Sequence, residues 1–348
     1  MRLERREAVP LGLVLAAPVI AVLASAALGS VLIVWSGAPV PGAFAQLLNG
    51  AFGSRLGLTE TLTRATPLIF TGLAAAVAFR ARLWNIGAEG QLYLGALAAA
   101  LIGASAVQGP SWMMMPAALV LGALAGAGLL LVPALLRTHA SVDEVVTTLL
   151  LNFVVVLFVS MMIEGPMKDP LAFGWPQSAP VADGVMLPKL VARSRLHLGF
   201  AIAIVTAVAV WLYDSRSRYG FEARASGLNP AAARFAGVSV NAVMLRVAVL
   251  SGGLAGLAGA TEVIGLKGYL TLDLSPGFGY SGIIVAMLAQ LHPLGVIGAA
   301  IYVAAVFVGA HAMGRAFEVP SFIADVMVAC ALLTMLVAVL GVQYRVRR

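Results

Sequence analysis

The segment Leu11-Gly-Leu-Val-Leu-Ala-Ala-Pro-Val-Ile-Ala-Val-Leu-Ala-Ser-Ala-Ala-Leu-Gly-Ser-Val-Leu-Ile-Val-Trp35 contains no charged residue. About 20 consecutive apolar residues suffice for a helix to cross the hydrocarbon core of a bilayer, so this run predicts a membrane span. The same texture recurs at 66–79, 86–104, 113–136, 144–163, 197–213, 243–264, 278–291, 293–313 and 321–342. Composition agrees. Hydrophobic residues make up 61% of the 348 and charged residues 11%, whereas soluble domains carry about 25% charged residues. The expected fold is all-α, a polytopic membrane helical bundle of about ten spans. The runs 66–79 and 278–291 hold only about fourteen residues each, which reach roughly 21 Å into a core roughly 30 Å thick. They are expected to be extended by flanking polar turns, or to be broken or re-entrant.

The start of the chain imitates a signal peptide, with Arg2, Arg5 and Arg6 before the run and Ala24-Ser25-Ala26 inside it. The run is longer than an h-region of about 7–15 residues, so an uncleaved first helix is expected. The formal charge is +7, and of 22 basic residues only Lys168, Lys189 and Lys267 are lysines. The arginines stand in short clusters between apolar runs, which reads as loop topology rather than nucleic-acid binding. With the N-terminus inside, the inner loops hold thirteen basic residues: Arg2, Arg5, Arg6, Arg80, Arg82, Arg137, Arg216, Arg218, Arg224, Arg234, Arg345, Arg347 and Arg348. The outer loops hold eight: Arg55, Arg64, Lys168, Lys189, Arg193, Arg195, Lys267 and Arg315. Both termini are therefore expected in the cytoplasm. Only two loops are long, 164–196 outside and 214–242 inside, so residues 1–348 form a single membrane domain. Cys330 is the one cysteine, and the four histidines lack metal-ligand spacing; no metal or cofactor is expected on this chain.

No Gly-Lys dipeptide occurs, so the chain has no phosphate-binding loop and is not expected to be an enzyme. Leu250-Ser251-Gly252-Gly253 imitates the signature of transport ATPases, but it lies within an apolar run and reads as helix packing. Gly122 with Gly126, and Gly252 with Gly256, have the spacing that lets helices approach closely. Transport then needs an external energy source. An ion gradient would call for ionisable residues at depth, and Glu262 and Asp325 come nearest to that. A partner ATPase would call for a cytoplasmic docking element.

The loop 214–242 supplies one. Asn229 suits an N-cap, Pro230 the first helical position and Gly237 the C′ position. The spacing predicts a short helix over 230–236 with Ala231, Ala232 and Phe235 on one apolar face. So short a helix is marginal alone. It must pack either on the chain's own span ends or in a partner's groove.

At this point the sequence becomes recognisable. Phe79-Arg-Ala-Arg-Leu-Trp-Asn-Ile-Gly-Ala-Glu-Gly-Gln91 resembles the hallmark of nucleoside-type permeases of bacterial ABC importers, within the branched-chain amino acid/ribose permease family. Gly220-Phe-Glu-Ala-Arg-Ala-Ser-Gly-Leu-Asn-Pro-Ala-Ala-Ala-Arg-Phe-Ala-Gly237 is similar to that family's ATPase-coupling segment. Glu144-Val-Val-Thr-Thr-Leu-Leu-Leu-Asn152, Gly165-Pro-Met-Lys-Asp-Pro170 and Ser275-Pro-Gly-Phe-Gly-Tyr-Ser-Gly-Ile-Ile-Val-Ala-Met-Leu288 also match. The resemblance implies coupling residues at Gly220, Glu222, Arg224, Gly227, Asn229, Pro230, Ala231, Ala232, Phe235 and Gly237. It implies an inner-membrane importer with a second homologous permease, a periplasmic or lipid-anchored solute-binding protein, and an ATP-binding subunit that carries ATP and Mg. Nucleosides are the implied solute, because ribose-type members have a Gly-Gly-Ile-Asp-Leu-Ser-like segment where this chain has Asn85–Gln91. A simple-sugar permease is the alternative.

Asn85, Glu89 and Gln91 follow a short span and are threaded by Gly87 and Gly90, a pattern that breaks helix and exposes polar groups to a cavity. They are candidates for solute contact, and Glu89 is alternatively a partner of Arg80 or Arg82. Asn152 lies inside a span and either bonds between helices or lines the pathway. Tyr280, Ser281 and Gln290 are weaker pathway candidates.

Overall fold

The computed structural model describes residues 2–5, 11–104, 109–320 and 322–347. Arg6, Arg348 and Ser321, which figure in the readings above, lie outside them. The described chain comprises β1 (Arg2–Arg5), α1 (Leu11–Trp35), α2 (Val40–Phe52), α3 (Arg55–Arg80), α4 (Ala88–Gly103), α5 (Ser111–Ala140), α6 (Glu144–Glu164), α7 (Gly199–Arg216), α8 (Arg218–Leu228), α9 (Pro230–Phe235), α10 (Val240–Glu262), α11 (Phe278–Leu288), α12 (Pro293–Phe317), α13 (Phe322–Gln343) and β2 (Tyr344–Arg347). A π-helical turn, Val263–Lys267, continues α10.

Among the described residues seven helices are long and apolar enough to cross a membrane, rather than ten. The apolar stretches Ala88–Gly103, Phe278–Leu288 and Phe322–Ala338 are shorter. For the run 66–79 the first alternative holds: flanking polar turns extend it into α3, an unbroken helix of 26 residues. Its first half is polar in sequence but satisfied within the helix. Ser54 caps it, accepting from Gly57 N at 2.9 Å. Thr59, Thr63 and Thr66 donate their hydroxyls to the carbonyls four residues earlier. Helix α2, outside every predicted span, packs its Leu47 against Gly309 of α12 and receives the Thr61 hydroxyl at Ala51 O.

Burial sets the layers. In α3, 83% of the spanning window is buried against 22% in α7, so α3 is an axis of the bundle and α7 lies on its periphery. The two Gly-x-x-x-Gly pairs face each other. Gly122 and Gly126 of α5 lie on the backbone of Gly252 and Gly256 of α10, with no room for a Cβ on either side. Gly252, within the Leu250–Gly253 segment, is thereby a packing residue.

The bundle has two distinct ends. At one, Arg80 of α3 is ion-paired with Asp214 of α7, Arg224 of α8 reaches the same carboxylate at 3.1 Å, and Arg137 of α5 pairs with Glu144 of α6. The N-terminal half of α1 reaches this end, where Pro18 shares a cavity with Arg80, Gln290 and His292. Strands β1 and β2 pair antiparallel, Arg2 opposite Arg347, so the two ends of the described chain lie together. At the other end the loop 165–198 folds over the bundle, with Ala182 N bonded to Gly103 O and Leu187 N to Ile264 O.

Candidate functional site

Two short helices begin inside the bundle. After α3 ends at Arg80 the chain turns through Arg82, at φ 56°, and runs non-helical through Leu83–Gly87 before α4 starts at Ala88. From the opposite end the segment 268–277 descends beside α4, where the Tyr93 hydroxyl donates to Leu272 O. It hands over to α11 at Phe278. The N-termini of α4 and α11 meet. Glu89, in the first turn of α4, accepts from Gly279 N in the first turn of α11 at 2.7 Å. Thr71 of α3 donates to Phe278 O at 2.9 Å. Each N-terminus presents unpaired N–H groups and a partial positive charge, and the Glu89 carboxylate, carried on the first turn of α4, bonds that of α11. A Cβ on Gly279 would collide with the Glu89 backbone nitrogen, so only glycine allows this approach.

The predicted solute residues lie at this junction, largely occupied with each other. Asn85 is fully buried, with a reciprocal amide pair to Gln91 at 2.8 and 2.9 Å. It also donates to Ser251 Oγ at 3.0 Å and accepts from Gly87 N at 3.0 Å. That uses both donors and both acceptor positions of its amide. Asn152 accepts from Gly90 N and donates to Ile86 O and to the Tyr280 hydroxyl. Glu89 pairs with neither Arg80 nor Arg82; it caps α11. Tyr280 remains 41% exposed, and Ser281 beside it is half-buried. Neither ionisable candidate is at mid-span: Glu262 is the last residue of α10, and Asp325 lies in the first turn of α13.

The ten coupling candidates divide by direction. Glu222 is buried in α8, bonded to Arg218 at 2.8 Å and Arg246 at 3.1 Å. Those two guanidiniums hold its carboxyl below the usual range. Arg224 binds Asp214, Gly220 abuts the Asp214 backbone and Gly227 abuts Arg80 O. These four fasten α8 to the bundle. The remaining six build an outward knob. Asn229 Oδ1 accepts from Ala231 N at 3.0 Å and Ala232 N at 3.1 Å. Pro230 opens α9, and Gly237 ends the turn at φ 83°. Ala233 is buried against the bundle, which turns Ala231, Ala232 and Phe235 to solvent, and Phe235 is 97% exposed.

Sequence reasoning missed Asp214, the shared anchor. It also missed a cavity of about 1160 Å³ at the opposite end, walled by Arg64, Lys189, Arg193, Arg195 and Arg315 with Glu60 as its one carboxylate. The basic residues of that cavity come from three separate stretches of chain, so no local cluster announces it. Among the described residues no group of three or more His, Cys, Asp or Glu is placed to hold a metal.

Comparison with known proteins fits this architecture. The chain is 35% identical to the glucose ABC transporter permease protein TsgB13 of Haloferax volcanii, over 99% of this chain and 93% of that one. It is 35% identical to the guanosine ABC transporter permease protein NupP of Bacillus subtilis, over 91% of each. It is 29% identical to the nucleoside ABC transporter permease protein NupB of Lactococcus lactis, over 85% and 84%. The branched-chain amino acid transport system permease component family matches residues 57–342. With residues 57–342 matched and 35% identity to a relative over nearly its whole length, the chain belongs to that family of membrane permeases.

Proposed function

We propose that this chain is a nucleoside-translocating subunit of an ATP-driven importer, coupled to its ATPase through α9. The observation that carries the coupling is Phe235. A phenylalanine 97% exposed at the tip of a capped helix would be left in water without a partner's groove to enter. Helix α8, pinned by Asp214 and Glu222, transmits the partner's motion to α3, α7 and α10. The end bearing α8 and α9 is the cytoplasmic one in this reading, as the arginine bias requires.

Solute passes the α4–α11 junction along Tyr280 and Ser281. The buried set of Asn85, Glu89, Gln91 and Asn152 holds the two half-helices apart from regular helix. A solute-binding protein delivers at the opposite end, onto the loop 165–198, and a second homologous permease completes the pathway. Nucleosides are favoured by the Asn85–Gln91 segment and by the names of two of the relatives above. The glucose permease, equally similar, favours the simple-sugar reading.

Proteoliposomes containing the chain, its companion permease, the ATPase and the binding protein decide between these. Labelled guanosine or uridine should accumulate only with ATP, and unlabelled glucose should not compete. Competition by glucose would move the solute to sugars. Uptake driven by a proton or sodium gradient without ATP would overturn the importer reading altogether.

A further inference from the structure

Between α7 and α10 the periphery carries a groove of about 700 Å³. Its walls include Thr206 and Val210 of α7 and Leu250, Leu254 and Leu257 of α10. At one end stand Tyr213, Tyr219 and Arg246. Along α10 the groove runs from Leu245 to Leu257, about 18 Å at 1.5 Å per residue. That is slightly more than half of a hydrocarbon core roughly 30 Å thick. The groove therefore has the depth of one leaflet, starts at the α8 end and is apolar below its mouth.

The mouth is positively charged. Arg246 and Arg218 share a single carboxylate, Glu222, and Arg216 lies exposed nearby. Arg246 uses Nε on Ala242 O and Nη2 on Glu222, which leaves the Nη1 edge for a further acceptor. Its guanidinium lies over the Tyr219 ring, 4.8 Å from the centroid, and Tyr219 stacks on Tyr213. Tyrosines and arginines at this depth are the residues that meet lipid headgroups.

We propose that the groove binds one anionic phospholipid of the leaflet facing α8. An acyl chain lies against Val210, Leu250 and Leu254, and the phosphate sits between Arg246 and Arg218. A partner's transmembrane helix fits less well, because it would need an apolar wall across the whole core rather than half of it. The phosphate takes the outward donors of the two arginines while Glu222 keeps the inward ones. The headgroup thus bears on the ion pairs that fasten α8, and the bound lipid is part of the mount that holds α9. This assignment does not depend on which solute the permease carries.

Native mass spectrometry of the full chain, released from detergent with equimolar phosphatidylglycerol and phosphatidylcholine, tests the site. One phosphatidylglycerol should be retained preferentially. An arginine near the membrane surface contributes about fivefold to anionic-lipid affinity, so Arg246→Gln with Arg218→Gln should cut the preference about 25-fold. Ala209→Trp, at an exposed position of the groove wall, fills the groove and leaves both arginines. It should lose the bound lipid too, and it covers the case in which the arginine variant fails to fold. Equal retention of the two lipids, or unchanged phosphatidylglycerol binding in the Ala209→Trp variant, would overturn the proposal. So would capture of the companion permease by a maleimide–benzophenone cross-linker attached to Val249→Cys in the assembled transporter, since the groove would then be covered by protein.

Discussion

The segments 79–91 and 220–237 both lie within the family match, yet the fold uses them differently. In the first, Asn85, Glu89 and Gln91 are buried and bonded to one another or to backbone. In the second, Gly220, Glu222, Arg224 and Gly227 turn inward, while Asn229–Gly237 turns outward around Phe235. A recognisable motif therefore mixes residues that make the scaffold with residues that meet something else. Direction, read residue by residue, separates them. The first segment is an internal joint that sets where two half-helices begin. The second is a helix fastened to the bundle, α8, followed by an outward one, α9, which in the proposed reading is the tool that α8 mounts.

The internal joint should be the most sensitive to volume. Gly279→Val places two methyl groups against the Glu89 backbone, where no side chain can swing aside. Overpacking of this kind costs about 3 kcal/mol when the neighbour is backbone. We expect little folded protein and a melting temperature well below wild type. A Gly279→Val permease that purifies and melts normally would break the picture of a tight N-terminus-to-N-terminus junction.

Phe235→Ala should leave the fold alone, because the side chain is 97% exposed. An aromatic anchor lost from an interface costs about 2 kcal/mol, or about 30-fold in affinity. ATPase co-purification and ATP-driven uptake should fall by that order while the melting curve stays in place. Unchanged uptake would make α9 part of the mount rather than the tool.

Much of this was legible beforehand, for identifiable reasons. Seven of the ten apolar runs became long apolar helices, and the capped α9 follows from Asn229, Pro230 and Gly237, because caps are local chemistry. The facing Gly-x-x-x-Gly pairs were legible as packing signals, though their mutual contact was not. What stayed hidden depends on distant partners. The reciprocal pairing of Asn85 and Gln91 needs a non-helical turn whose path is set by Ser251 of α10. Asp214 looks like one acid among arginines until Arg80, 134 residues away, arrives beside it. The first half of α3 read as polar because the return of threonine hydroxyls to their own helix carbonyls leaves no trace in hydropathy.

Asp214 tests the mount. Asp214→Ala leaves Arg80 and Arg224 facing each other without a counter-charge. The group is partly exposed, so the destabilisation should be about 1–2 kcal/mol rather than the value for a buried pair. Arg224→Ala added to that background should recover part of the loss. A double-mutant cycle with no coupling between 214 and 224 would show that α8 is held by packing alone.

The smallest expected effect concerns the far end of the bundle, where His197, Glu262 and Thr271 each bury a polar atom without a partner, unlike the residues of the joint. His197 is fully buried just before α7. Its Nδ1 accepts from Gly199 N at 3.1 Å, and Nε2 has no partner in the structure. Protonation would cost the Gly199 bond and charge a desolvated ring beside Lys189, so burial first and Lys189 second push its pKa down to about 4. The unfolded chain, with a histidine near its ordinary 6.5, binds a proton between these values that the folded chain refuses. Stability must therefore fall as pH drops from about 6.5 toward 4, by about 1 kcal/mol between pH 7 and 5.5. His197→Asn cannot titrate there, and its melting temperature should lose that slope. Equal slopes for variant and wild type would mean that His197 charges freely in the folded protein, and that the loop 165–198 opens to water as the bundle's interior does not.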